Sequence, residues 1–245
     1  MYREMRGIMD TINGLIQRVQ AVGDSDNGKL VIGVLEGQNV DPILLFAIKS
    51  LSDLYPEFSV DIRKMSHQQL LAEAMNQNLD VVETILTDDT ELDPELECII
   101  LKKVQNYLVA KSDDPIWESP VSLSSVNGKT LVVPAKPHPG SESVFRILTA
   151  AGITPVIKAA SDMESHALWL EAGVGVSILN ESHIIFCSHA FRPLSAVALP
   201  ELPKVSVALV WNKNSSSKML GQFLDLIRKD LASIVQQTGA EESGT

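Results

Sequence analysis

The chain opens on apolar residues spaced alternately by four and three: Met1, Met5, Ile8, Ile12, Leu15, Val19 and Val22. On a helix that spacing forms one stripe, the a/d seam of about three heptads. Gly7 and Gly14 lie off the stripe and weaken the helix by roughly 1 kcal/mol each. Such a helix either lies on its own domain or pairs with another copy of itself. Gly23-Asp24-Ser25-Asp26-Asn27-Gly28 ends it and reads as a flexible link.

After the link, short apolar runs alternate with amphipathic segments. Leu30–Leu35 (LVIGVL) predicts a buried strand. Asp41-Pro42 opens a helix, Asp as N-cap and Pro in the first turn. It runs to Leu54 and stops at Tyr55-Pro56, because a residue before proline avoids the α region. Phe58, Val60 and Ile62 alternate as a half-buried strand. Ser66-His67-Gln68-Gln69 has the form of a capping box for a helix reaching Gln77. Leu79-Asp80-Val81-Val82 begins a third strand. Cys98–Ala110 is a long β-prone run, followed by an Asp-, Ser- and Pro-rich loop from Ser112 to Ser125.

The alternation then repeats. Leu131–Val133 predicts a strand and Ser141–Ala151 a helix ended by Gly152. Pro155–Ala160 predicts a strand. Ser161-Asp162-Met163-Glu164 predicts a second capping box opening a helix to Ala172, and Gly173–Ile178 a turn with a buried strand. Val205–Trp211 is another buried strand and Met219–Val235 a last amphipathic helix. Two such series separated by one β-rich crossing predict two similar α/β lobes with mostly parallel sheets and helices on both faces. The expected division is a helix over 1–23, one lobe from 30–110 plus 204–236, a second from 111–203, and a disordered tail over 237–245. Ligands of such sheets bind beyond the carboxyl ends of the strands, so facing lobes predict a binding cleft.

Composition narrows the function. The 245 residues carry a net charge of −11, which argues against the chain gripping phosphates itself. Cys98 and Cys187, the two cysteines, form no disulfide framework and fit a reducing compartment. MYREMRGIMD has no apolar signal core, and no membrane-spanning apolar run occurs, so a cytoplasmic protein is expected. His183, Cys187 and His189 suggest a metal cluster, but their spacing fits no standard zinc site and a fourth ligand is missing. Neither a Gly-x-Ser-x-Gly elbow nor a phosphate-cradling loop is present, so neither catalysis nor a cofactor is expected.

The order LVIGV, LYPEFSVDIR, NLDVV, VSLSSVNGKTLVV, AGITPV and WLEAGVGVSIL resembles the effector-binding region of LysR-type transcriptional regulators over Leu30–Leu231. Met1–Val22 resembles that family's dimerising linker helix. The resemblance implies a type 2 periplasmic-binding-protein-like α/β fold, a small-molecule effector between the lobes, and a homodimer or tetramer. It implies DNA contact only through a winged helix-turn-helix that these residues do not contain. In the implied antiparallel dimer, the Pro42–Leu54 helix and Phe58–Arg63 strand meet the partner's Glu142–Ala151 helix and Pro155–Ala160 strand. Alternatives on the same architecture are a transporter's solute-binding protein or an enzyme.

Carried onto this chain, the effector-binding candidates of the first lobe are Gly37, Gln38, Asn39, Val40, Ser66, His67, Glu83 and Thr84. Those of the second lobe are Pro134, His138, Ser141, Ser161, Asp162 and Glu164. Asp41, Asp162 and Ser66 would equally serve as helix caps alone. Many relatives place Ser or Thr after the first strand and bind carboxylates; here the loop reads Glu-Gly-Gln-Asn-Val-Asp. Glu36, Glu83, Glu142 and Asp162 point instead to a cation or a polyhydroxylated ligand.

Overall fold

The computed structural model describes residues 28–134, 136–183 and 194–242, with side chains as far as residue 233. The N-terminal seam, Cys187 and His189 therefore lie outside the described residues.

Strand β1 (Lys29–Leu35) pairs in parallel with β2 (Ser59–Met65) and with β3 (Val81–Leu86). Its even residues Leu30, Ile32 and Val34 face one core, and Val31 and Leu35 the other. Burial on both faces is why the segment reads as one apolar run. Helix α1 (Pro42–Leu54) starts where Asp41 Oδ1 accepts the Ile43 N–H at 3.1 Å. It ends at Tyr55, held extended by Pro56 at φ −128° and ψ 102°. Leu44, Ala47 and Leu51 of α1 pack on β1 beside Phe223 and Ile227 of the last helix, α5 (Lys218–Glu242). Helix α2 (His67–Met75) covers the opposite face with Leu70 and Ala74.

Two strands then carry the chain from one sheet to another. β4 (Leu96–Val104) joins the first sheet, and β5 (Asn106–Lys111) begins the second after Gln105. The expected border at 110/111 thus falls inside the second lobe, because β5 hydrogen-bonds to β8 (Ser177–Asn180) and β9 (Leu194–Ala198). One β-prone run thus contains a change of sheet at Gln105. Short 3₁₀ turns at Pro115–Glu118 and Leu123–Val126 lie in the segment read as loop. β6 (Thr130–Pro134) and β7 (Val156–Ala160) pair in parallel. Val176, bridged to Leu131, joins β6 to the strand leading into β8. Helices α3 (Pro139–Ala150) and α4 (Met163–Glu171) cover this sheet through Val144 and Leu148, and through Ala167 and Leu170.

The return strand β10 (Val205–Asn212) runs antiparallel between β3 and β4. The first sheet is therefore ordered β2-β1-β3-β10-β4. Through the Val176 bridge the second follows the same plan, β7-β6-β8-β5-β9. In each lobe the fourth position is the strand that has just crossed over, and it is antiparallel. The sheets are accordingly mixed, within the two-lobed type 2 periplasmic-binding-protein-like architecture. α5 extends to Glu242, through residues expected to form an unstructured tail.

Candidate functional site

The carboxyl ends of β1, β2, β6, β7 and β8 converge between the lobes. A cleft open to solvent lies there, about 410 Å³ when the open space at its mouth is included, lined by Leu35, Glu36, Ser66 and His67 of the first lobe and by Pro134, Lys136, His138, Ser161, Asp162, Met163 and His183 of the second. A neighbouring cavity of about 290 Å³ shares Pro134, His138 and His183 and adds Ser141, Asn106 and Asn180. Six expected residues thus meet at the first cavity: Ser66, His67, Pro134, His138, Ser161 and Asp162. Ser141 lines the second.

Helix starts shape these walls. At α3 the cap is His138, whose Nδ1 accepts the Ser141 N–H at 3.4 Å while Ser141 Oγ accepts the His138 N–H at 3.0 Å. An accepting Nδ1 leaves the ring proton on Nε2. At α4 the N-cap is Asp162, one residue later than the expected capping box begins. Its Oδ1 accepts the Ser165 N–H at 2.7 Å, and the Ser161 hydroxyl donates to Oδ2 at 2.8 Å. A carboxylate on a helix N-terminus outcompetes the hydroxyl. At α2, Gln69 Oε1 accepts from the Ser66 N–H at 3.2 Å and from its hydroxyl at 2.8 Å.

Imidazoles dominate the cleft. The rings of His138 and His183 stack with centroids 5.4 Å apart and planes 23° apart. His67 Nδ1 lies 2.8 Å from Thr84 Oγ1. Behind them, His166 Nε2 lies 2.9 Å from Ser177 Oγ, whose own proton goes to the Val132 carbonyl at 2.9 Å. His166 must therefore donate through Nε2, which leaves Nδ1 a buried acceptor without a partner among the described residues. Loss of solvation lowers the pKa of all four rings: His138 and His166 to about 4 and His183 to about 3, with His67 lowered as well. Neighbouring imidazoles reinforce the shift at His138 and His183.

The remaining expected residues serve the frame. Glu83 is 1% exposed and both its oxygens accept the Asp41 N–H, at 3.2 and 3.1 Å. Gln38 Nε2 donates to Glu83 Oε1 at 3.3 Å, while Gln38 Oε1 is buried without a partner among the described residues. Burial pushes the Glu83 carboxyl up to about 7, and the nearby Asp41 carboxylate adds to this. Thr84 is fully buried behind His67, and Val40 packs on the core. Glu164 is exposed on α4 and lines neither cavity. Gly37 and Asn39 touch the other lobe. A Cβ on Gly37 would fall 1.8 Å from Met163 Cγ, and the Asn39 N–H donates to the Ser182 carbonyl at 3.4 Å. Lys136–Glu36 at 2.9 Å and Arg146–Asp89 at 2.6 Å also bridge the lobes.

Lys136 and Met163 fall within the Pro134–Ser141 and Ser161–Glu164 loops expected at the cleft without being singled out there, and His183 lies outside every expected loop. His183 had been grouped with Cys187 and His189, which drew it towards metal chemistry. Its position just after a strand, shared with His67 and His138, was the better signal. Among the described residues no group of side chains could hold a metal ion. No described helix is long and apolar enough to cross a membrane.

Residues 23–232 match the model of the LysR substrate binding domain. Among curated proteins no sequence match is found. Among solved structures, the effector-binding domain of QuiR in complex with shikimate superposes with a TM-score of 0.71 at 13% identity, covering 84% of this chain and 98% of that one. The CcmR regulatory domain of Synechocystis PCC6803 in complex with 2-PG gives 0.69 at 16% identity, covering 82% and 95%. Full-length CbnR bound to its target DNA gives 0.68 at 17% identity, covering 94% and 80%. By family match, fold and strand-end cleft together, the chain belongs to the LysR substrate-binding domain family, the effector-sensing part of LysR-type transcriptional regulators.

Proposed function

We propose that a small effector binds between the lobes at the cavity lined by Ser66, His67, Pro134, His138, Ser161 and Asp162, and that its signal passes through a homodimer or tetramer. The observation that carries this reading is that strand ends of both lobes, and the starts of α2, α3 and α4, open on one cavity. An effector there touches both lobes. It shifts their relative orientation by as much as its affinity differs between the two arrangements. Gly37, Gln38, Asn39, Val40, Glu83, Thr84 and Glu164 hold or flank the cavity walls instead of contacting the effector.

Assembly has a candidate surface. Leu45 and Phe46 on α1, with Ile62 on edge strand β2, are 50%, 53% and 43% exposed. Val156 and Ile157 on edge strand β7 are 56% and 46% exposed. Two apolar edges on opposite lobes suit a reciprocal pair, in which each protomer covers the other's edge strand. The chain then serves regulation and not turnover, with DNA contacted by a separate winged helix-turn-helix, and acts inside the cytoplasm.

A thermal-shift screen of metabolites tests the binding step. A true effector at a hundredfold excess over its Kd stabilises the chain by about 2.7 kcal/mol. Replacing His138 by Ala abolishes that shift. A metabolite that stabilises the wild type and the His138→Ala variant equally would place the site elsewhere.

A further inference from the structure

The charges in the cleft say what kind of molecule fits it. Among the lining residues of the main cavity, Glu36, Lys136 and Asp162 carry charge, and Lys136 is held 2.9 Å from Glu36. That leaves Asp162, held by the Ser165 N–H and the Ser161 hydroxyl, as the lining charge without a counter-ion among the described residues. Two other cations near the lobe boundary are also engaged: Arg146 with Asp89 at 2.6 Å, and Lys102 with Asp41 at 3.0 Å. The imidazoles of His67, His138 and His183 are neutral at physiological pH, so they add no positive charge.

Helix N-termini are the other usual receptors for an anion. Here α3 and α4 each carry their own acceptor, His138 Nδ1 and Asp162, as does neighbouring α1 with Asp41; at α2, Gln69 Oε1 accepts only from Ser66, the residue before the helix. Two of these three acceptors are carboxylates. At α3 and α4 an incoming carboxylate or phosphate would have to displace a cap and, at α4, approach like charge.

The hydroxyls bear the same message. Ser66 Oγ gives its proton to Gln69 Oε1, and Ser161 Oγ gives its proton to Asp162. Both therefore face a ligand as acceptors, beside the carboxylates of Glu36 and Asp162. Donors are the His138 Nε2–H and one N–H on each of the neutral His67 and His183 rings, and Leu35, Pro134 and Met163 supply apolar wall. Carboxylates and hydroxyl acceptors set among neutral donors call for a ligand that donates and carries no negative charge.

Resting on the effector-cleft reading above, we propose that this chain senses a molecule bearing hydroxyl, amide or ammonium donors, and that it discriminates against carboxylates and phosphates. Glu36 enforces this by occupying Lys136 across the cleft.

Matched probes test the proposal on the full chain at neutral pH: shikimate and methyl shikimate, and nicotinate, nicotinamide and the cationic 3-(aminomethyl)pyridine. Histidine ring signals are followed by NMR during each titration. The expected result is that the ester and the amide shift the His138 and His183 signals and bind about tenfold more tightly than their acids. The Glu36→Gln variant, which frees the Lys136 ammonium, narrows that ratio. The amine is expected to bind at least as tightly as the amide. Acids binding as tightly as their neutral partners, or a ratio unmoved in Glu36→Gln, would each overturn the inference and leave the effector cleft standing. If no probe moves any cleft histidine, while the same probes stabilise the protein to heat, the cleft reading itself fails and the inference with it.

Discussion

Gly37 shows how much a single position can decide. Its φ is +77°, a conformation that costs an L-residue about 1–2 kcal/mol. A methyl group there would also collide with Met163 of the facing lobe. Gly37→Ala is therefore expected to hold the lobes apart. A double variant that also carries Met163→Ala removes the collision but keeps the backbone strain. Small-angle scattering should show a larger radius of gyration for the single variant and near recovery in the double one. Equal radii for Gly37→Ala and wild type would mean that Gly37 does not set the approach of the lobes. Glu83 is the second such residue. Its folded pKa of about 7 stands above the ordinary 4.5, so the folded state holds a proton that the unfolded state loses first. Its contribution is fully present below about pH 4.5 and is lost as pH rises towards 7. Glu83→Gln removes that loss, and its amide can both accept the Asp41 N–H and donate to the orphaned Gln38 Oε1. The Tm of Glu83→Gln relative to wild type should thus be more favourable at alkaline than at acid pH. An unchanged difference between the two would refute the buried-proton account.

At the scale of elements, the two edge strands carry the strongest prediction. Ile157→Glu places a charge in the apolar edge of β7, and Phe46→Glu does the same on α1. Either is expected to shift the protein from dimer to monomer by analytical ultracentrifugation while preserving its circular dichroism. Dimers that survive both changes would locate assembly elsewhere. The elements themselves were largely legible beforehand. Asp41-Pro42 and Tyr55-Pro56 set the ends of α1 through backbone restrictions that act within a few residues. LVIGVL and VSVALVW are buried on both faces and leave an unbroken apolar run. What stayed hidden depends on contacts distant in sequence. Gln105 divides β4 from β5, yet nothing local says that the two strands join different sheets. His138 caps α3 with an imidazole, a cap that residue preferences do not rank. Gln38 follows β1 as the cleft rule requires, whereas Glu83 and Thr84 lie within β3, and all three turn inward, towards Asp41 and His67.

Across the whole molecule, the histidines tie stability to pH. His67, His138, His166 and His183 all titrate below the ordinary 6.5 when folded. The unfolded chain therefore takes up protons first as pH falls, and the folded state loses stability from about pH 6.5 downwards towards pH 4. Glu83 and Asp80, whose carboxyls burial pushes up, oppose this over part of the range, but they are two groups against four. Melting at about pH 5 should occur roughly 5 °C or more below melting at about pH 7.5. His138→Gln should shallow that dependence. A flat profile would show that the rings are better solvated than their packing implies.

The two chain segments joining the lobes lie side by side. Gln105 Nε2 donates to the Leu199 carbonyl at 2.8 Å and Asn106 Nδ2 to the Pro203 carbonyl at 2.8 Å, lacing one segment to the other. Laced in this way they act as a single fulcrum, and each lobe becomes a rigid arm. Sheet positions farthest from a fulcrum travel farthest for a given swing. β2 and β7, the strands at the opposite edge of each sheet from β4 and β9, occupy those positions. A slight tightening around the proposed effector would thereby be magnified at the two borders where a neighbouring subunit would feel it.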